Sequence, residues 1–286
     1  MKTFDSITIV GVGLIGASIG RAALARNVAG SVIGTGSRPA TLEAAQATGA
    51  ITEIITEPAA AVANAHLVVI CAPVNHIVEQ AARLARYCRA GTLITDAGST
   101  KARIVAEIER AAGGADWGRD VRFVGSHPLA GNEKRGPRHA SADLFAGRVV
   151  VVTPGQQSRA EDVEAVSQFW TALGSKVVQM TAEEHDQVLA AISHLPHLAA
   201  AAVAGMTPER YVPLTAGGWQ DTTRIAAGDP VLWRQILLDN RANVLESLDR
   251  LTGLLAEWRA AIERDDAAAT ERLLAEAKRI RDTVGN

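Results

Sequence analysis

Cysteine is scarce in this chain. Only Cys71 and Cys88 occur in 286 residues, with no C-x-x-C spacing, so neither a disulfide framework nor a thiolate metal centre has support. Charge of one sign is not in excess either. A formal net charge of −2 and the lack of any run of like charges leave nothing to neutralise a phosphate backbone or an anionic bilayer, which argues against nucleic acid and membrane as partners. The N-terminus places Asp5 ahead of its first apolar stretch and lacks the basic region, long apolar segment and cleavage site of a secretory signal. A reducing cytoplasm is the expected location. Residues 188–205 approach membrane-spanning length, but Ser193, His194, Pro196 and His197 interrupt them, each costly in hydrocarbon; the stretch is read as a buried helix.

What remains is globular. Apolar residues make up 48% and charged residues 21%, with no internal repeat, and the length suits two cores. Up to about residue 180, short β-branched runs at 7–10, 31–33, 67–71, 92–95, 122–124, 149–153 and 176–179 alternate with Ala-rich helical stretches. This rhythm predicts βαβ units on one parallel sheet. From Thr181 onward only helical patterns remain. The expected division is 1–180, an α/β domain, and 181–286, all helical. In the second part Asp229-Pro230 starts a helix, as an N-cap followed by proline at the first helical position. Leu237, Val244, Leu248, Leu251, Leu255, Trp258 and Ile262 then recur at helical spacing. A helix of about 35 residues, roughly 50 Å long, is expected and read as a dimer-forming element; the alternative is two shorter helices broken near Thr252-Gly253.

The run 7–10 leads straight into Gly11-Val12-Gly13-Leu14-Ile15-Gly16, and a helical stretch follows. Strand, G-x-G-x-x-G and helix in that order predict a dinucleotide site, with Gly11 at the tight turn, Gly13 where backbone approaches pyrophosphate, and Gly16 where helix packs on strand. Leu14, Ile15, and Ala72 and Pro73 beyond the strand at 67–71, complete the expected contacts. The end of the second strand carries no Asp or Glu for a ribose 2′-hydroxyl. Thr35, Ser37 and Arg38 stand there instead, a set that suits a 2′-phosphate and favours NADP over NAD.

Two segments follow predicted strands, the edge where open α/β sheets bind ligands: Asp96-Ala97-Gly98-Ser99 and Ser126-His127-Pro128-Leu129-Ala130-Gly131-Asn132-Glu133. The helical half adds His185-Asp186, Ser193-His194-Leu195-Pro196-His197 and Asp221-Thr222-Thr223-Arg224. His194 and His197 could face one way as metal ligands, yet Pro196 disturbs that turn and no third ligand is evident, so no metal is expected.

With these five motifs in register the chain resembles the prephenate and arogenate dehydrogenases of tyrosine biosynthesis, over nearly its whole length. The resemblance implies a Rossmann-type domain followed by a helical dimerisation domain, a homodimer, and oxidative decarboxylation of a cyclohexadienol with NAD(P). It implies His127 as the base that takes the hydroxyl proton, and Ser99 as the residue that hydrogen-bonds the same hydroxyl or orients the imidazole. It implies Arg224 as the fork for a substrate carboxylate, held by Asp221. His197, Ser193 and Glu133 would line the side-chain end of the substrate, with Trp233 near the site. Prephenate is preferred over arogenate because His197 offers a donor to a keto acid. A β-hydroxyacid dehydrogenase would need a lysine in the helical half, and none lies between Lys176 and Lys278. A catalytically silent nicotinamide-binding module would make His127 or Arg224 dispensable, whereas both motifs are complete.

Overall fold

The computed structural model describes residues 4–131 and 134–284. Its first half alternates strand and helix: β1 (Phe4–Val10), α1 (Leu14–Ala25), β2 (Ala29–Thr35), α2 (Pro39–Ala47), β3 (Glu53–Ile54), α3 (Pro58–Val62), β4 (Leu67–Ile70), α4 (Val74–Ala85), β5 (Leu93–Asp96), α5 (Ala102–Ala112) and β6 (Arg122–Phe123). All six strands pair in parallel in the order β3-β2-β1-β4-β5-β6. Crossover helices cover both faces, so β1 and β4 at the centre are buried on each side, as Ile7, Ile9, Val68 and Ile70 are. The chain order reverses between β1 and β4, and the carboxyl ends of the strands meet there at a crevice.

The single parallel sheet expected from the sequence is in fact two sheets. The run at 122–124 divides: β6 ends on the large sheet, and β7 (Gly125–Pro128) starts a second one with β8 (Val149–Thr153) and, after α6 (Ala160–Ala172), β9 (Lys176–Gln179). β7 runs antiparallel to β8, while β8 and β9 are parallel. A buried polar knot fixes the break. Ser126 donates its amide to the Asp96 carboxylate (3.2 Å) and its hydroxyl to the Asp96 carbonyl (2.6 Å), and it accepts from Trp170 Nε1 (2.9 Å). These bonds tie the second sheet to the end of β5.

The second half is helical: α7 (Ala182–Leu189), a π-helical turn (Ala190–His194), α8 (Leu195–Met206), α9 (Gly217–Thr223), α10 (Pro230–Asp239), α11 (Arg241–Glu263) and α12 (Ala267–Asp282). Asp229 caps α10 through the Leu232 amide at 2.8 Å. The expected long helix does break, but at Asn240, and α11 runs unbroken through Thr252 and Gly253. Asn240 is 3% exposed and spends its side chain on long-range bonds described below. The run Ala182–Met206 is long and apolar enough to cross a membrane by length and composition. The buried-helix expectation for it does not hold within one chain: on α8 only His197 and Ala200 are buried, and Ile192 and Met206 are 63% and 77% exposed.

Candidate active site

The glycine loop joins β1 to α1 with the geometry of an anion cradle. Gly11 has φ +93°, and a Cβ there would lie 2.7 Å from the Cys71 carbonyl oxygen; a Cβ on Gly16 would lie 2.1 Å from the Gly11 carbonyl oxygen. No side chain fits at either place. Gly13 is different, since a Cβ there would meet no protein atom within 4 Å, so its surface is free for a ligand. Gly13 is also the N-cap of α1, with no side-chain cap and no acid in the first turn; the orphan amides and the helix dipole therefore face an anion unopposed. Leu14 and Ile15 open that helix. Thr35 ends β2 with its hydroxyl buried and unpartnered, and the exposed Ser37 and Arg38 follow. Arg38 precedes α2, and its side chain makes no cap bond. Ala72 and Pro73 follow β4 beside the loop. These residues fit a dinucleotide: the α1 amides would hold its pyrophosphate, with Arg38 exposed beyond the end of β2.

A cleft of about 860 Å³ lies between the two halves. Ser99 and His127 enter it from the first half, and Ser193, His194, Arg224 and Trp233 from the second. Gly131, on the same wall, sits within 3.9 Å of the Ile15 side chain at the start of α1, as measured from a Cβ built on it. The cleft therefore adjoins the dinucleotide loop. Its wall is rich in cations, with Lys134, Arg135, Arg148 and Arg224, against the two acids Asp143 and Asp229. Asp229 is already engaged by Arg135.

Behind His127 runs a chain of buried groups. His127 Nδ1 lies 2.9 Å from His185 Nε2, and His185 Nδ1 lies 2.8 Å from Asp186 Oδ1. The Asp186 carboxylate also accepts the amides of Lys101 (2.7 Å) and Ala102 (2.9 Å), at the start of α5. Asn240 donates to the Asp186 carbonyl (2.6 Å) and reaches His194 Nδ1 (3.2 Å). As an amide donor there it leaves the proton of neutral His194 on Nε2. Two further ties end on Asp239: the Thr100 hydroxyl from the loop after β5, at 2.5 Å, and the Arg103 guanidinium from the first turn of α5. Lys101 itself is fully buried and pairs with Asp96, also fully buried.

Burial is the first cause of every shift in this cluster. It holds the His127 imidazole well below the usual 6.5, with His185, Lys101 and His194 adding to the effect. It lowers His185 against the opposing pull of Asp186, lowers His194 to about 4, and lowers His197. It also lowers the Lys101 ammonium, which Asp96 props up. At neutral pH the site thus presents neutral imidazoles beside cationic side chains.

Of the residues singled out from sequence, Ser99, His127, Ser193, Arg224 and Trp233 share the cleft. His197 stands outside its wall: the ring is 6% exposed and lies flat against Trp233, centroids 3.5 Å apart at 10°. Asp221 is exposed on α9 and forms no ion pair with Arg224, which begins the next turn. Glu133 lies outside the described residues. Among the described residues no group of three or more His, Cys, Asp or Glu gathers as a metal site. Sequence reasoning gave no role to Lys101 or Asn240, named Asp96 and His194 only as members of their motifs, and weighed His194 as a metal ligand only to set that reading aside. A polar residue such as Asn240 inside an otherwise apolar helical period was the one available signal.

The chain matches two family models, the prephenate dehydrogenase nucleotide-binding domain over residues 19–179 and the prephenate dehydrogenase dimerization domain over residues 181–276. It is 33% identical to the prephenate dehydrogenase of Bacillus subtilis, covering 97% of this chain and 76% of that one. Among solved structures it is similar to prephenate dehydrogenase from A. aeolicus in complex with hydroxyphenyl propionate and NAD+ (TM-score 0.89, 29% identity, 98% of each chain). It is also similar to Synechocystis arogenate dehydrogenase (TM-score 0.81, 27% identity, 98% of this chain and 99% of that one).

Proposed function

Since this chain belongs to the prephenate dehydrogenase family, we propose that it converts prephenate to 4-hydroxyphenylpyruvate, with NADP preferred over NAD, as a homodimer. The observation that carries this reading is the convergence of His127 and Arg224, from separate halves of the chain, on one cleft beside the dinucleotide loop.

His127, neutral through burial, takes the proton of the ring hydroxyl on Nε2, and Ser99 hydrogen-bonds the same oxygen. A bound nicotinamide supplies the acceptor for the hydride that leaves the carbinol carbon. Arg224 holds a carboxylate of the substrate bidentately, which aligns the ring so that its own carboxylate departs as carbon dioxide and leaves its bonding pair to the aromatic ring. Trp233 and the apolar wall formed by Leu189 and Ile236 keep water from the reacting face. Prephenate is a dianion, whereas arogenate adds an ammonium. Four basic side chains and neutral imidazoles along the cleft suit the former. Arg38, with Ser37 and Thr35, suits the 2′-phosphate of NADP. The exposed Leu245, Leu248, Leu255 and Ile262 of α11 form the kind of apolar surface that a second copy covers; light scattering should give twice the 30.0 kDa chain mass.

The test is a fluorescence assay of NADPH and NADH formation with prephenate and with arogenate. Prephenate with NADP should give the highest kcat/KM. No turnover of either substrate would overturn the reading, and a preference for arogenate would overturn its substrate.

A further inference from the structure

The tautomer of the His127 imidazole can be worked out from its partners. Both oxygens of Asp186 accept backbone amides, Oδ1 from Lys101 and Oδ2 from Ala102. Amides only donate, so both oxygens already serve as acceptors, and Oδ1 is the acceptor toward its third partner, His185 Nδ1, as well. The proton of that contact therefore belongs to His185. His185 is fully buried and neutral at pH 7, so its Nε2 holds a lone pair, and this lone pair faces His127 Nδ1 at 2.9 Å. Two lone pairs cannot face each other at that distance, and the proton must sit on His127 Nδ1. By elimination His127 Nε2 is bare.

We infer that His185 and Asp186 are positioning residues that lock His127 into the Nδ1–H tautomer and so reserve its Nε2 as the proton acceptor toward the cleft. When Nε2 takes a proton, the imidazolium keeps its Nδ1–H bond to His185, whose own Nδ1–H stays on the carboxylate, so the new charge forms two bonds away from an anion. Other charged or titratable groups face this chain: Lys101 and Asp96 from the end of β5 and the loop after it, and His194 from the π turn. None of them bonds to His127 or His185 directly. The two backbone amides on Asp186 are what set the direction of the whole chain, because they fix the acceptor at its far end.

The inference rests on the reading of His127 as the base, and its test separates the two. Enzyme labelled with ¹⁵N-histidine, with His127→Asn used to assign the resonance, should show His127 Nε2 at the shift of an unprotonated nitrogen and Nδ1 at that of a protonated one. His185→Phe, which offers no acceptor, should give a mixture of tautomers and lower kcat on the order of 10²-fold with little change in KM. His185→Gln, whose carbonyl accepts from Nδ1–H, should restore the single tautomer and most of kcat. A mixed tautomer in the wild type, an unchanged tautomer in His185→Phe, or no recovery in His185→Gln would overturn the relay. An enzyme silent on both substrates that still shows the single tautomer would overturn the dehydrogenase reading and leave the relay standing.

Discussion

The Asp96–Lys101 pair beneath the site makes a quantitative prediction. Both side chains are fully buried, so Asp96→Asn strips the counter-charge from an ammonium that water cannot reach. The cost is bounded, because the lysine can shed its proton instead of remaining charged. Neutralising a group whose ordinary value is 10.5 costs about 5 kcal/mol at pH 7 and about 2 kcal/mol at pH 9, at about 1.4 kcal/mol per pH unit. The sign follows from linkage: in the variant the unfolded chain binds more protons than the folded one, so stability rises with pH up to the unfolded value. Urea unfolding followed by circular dichroism should therefore show a loss of up to about 5 kcal/mol at pH 7, within the range measured for broken buried pairs, and a marked recovery at pH 9. Lys101→Met should cost less, since Asp96 keeps the amides of Gly98 (2.8 Å) and Ser126 (3.2 Å), and should show no recovery at pH 9. The double variant should regain most of the loss. Equal losses for the two single variants, unchanged between pH 7 and pH 9, would refute the reasoning.

Other outcomes follow from the same geometry. Arg224→Ala should raise the KM for prephenate about 10- to 100-fold with a smaller effect on kcat, the loss of a charge-assisted hydrogen-bond pair of about 1.5–3 kcal/mol; steady-state kinetics checks it. Gly13→Ala should leave thermal stability unchanged, because no protein atom stands within 4 Å of the added methyl, while weakening dinucleotide binding in a fluorescence titration. Arg38→Ala should weaken NADPH at least about tenfold and leave NADH nearly unaffected, as expected when one phosphate contact is removed. The acid limb of kcat/KM should fall below pH 6.5, because burial lowers His127 and the unprotonated base survives to lower pH; a limb above 6.5 would argue against His127 as that base.

Local pattern carried much of the fold into view. The alternation of β-branched and helical runs, the glycine loop and the Asp229-Pro230 start are all short-range signals, and each element stands where its run does. What pattern could not convey was long-range pairing. The run at 122–124 looks continuous, yet the strand changes sheet because Ser126 is bound by Asp96 and Trp170, partners 30 and 44 residues away. Asn240 ends α10 for a similar reason: its partners Asp186 and His194 are remote in sequence, and propensity alone would not stop a helix there. In the site, the motif residues Ser99, His127 and Arg224 line one cleft. His197 does not line the cleft, since the π turn before Pro196 carries Ser193 and His194 to the wall and leaves His197 one turn on, against Trp233. Nothing in the local pattern around Lys101 marks it as buried, and only the folded chain reveals that it is sealed in.

The bonds from Asp186 to the first amides of α5 span the two halves, as does the contact between His127 and His185. Parting the halves to admit a guest would break both together. Without the His185 contact the imidazole would be free to carry its proton on either nitrogen, so the joining of the two halves is itself what arms the base.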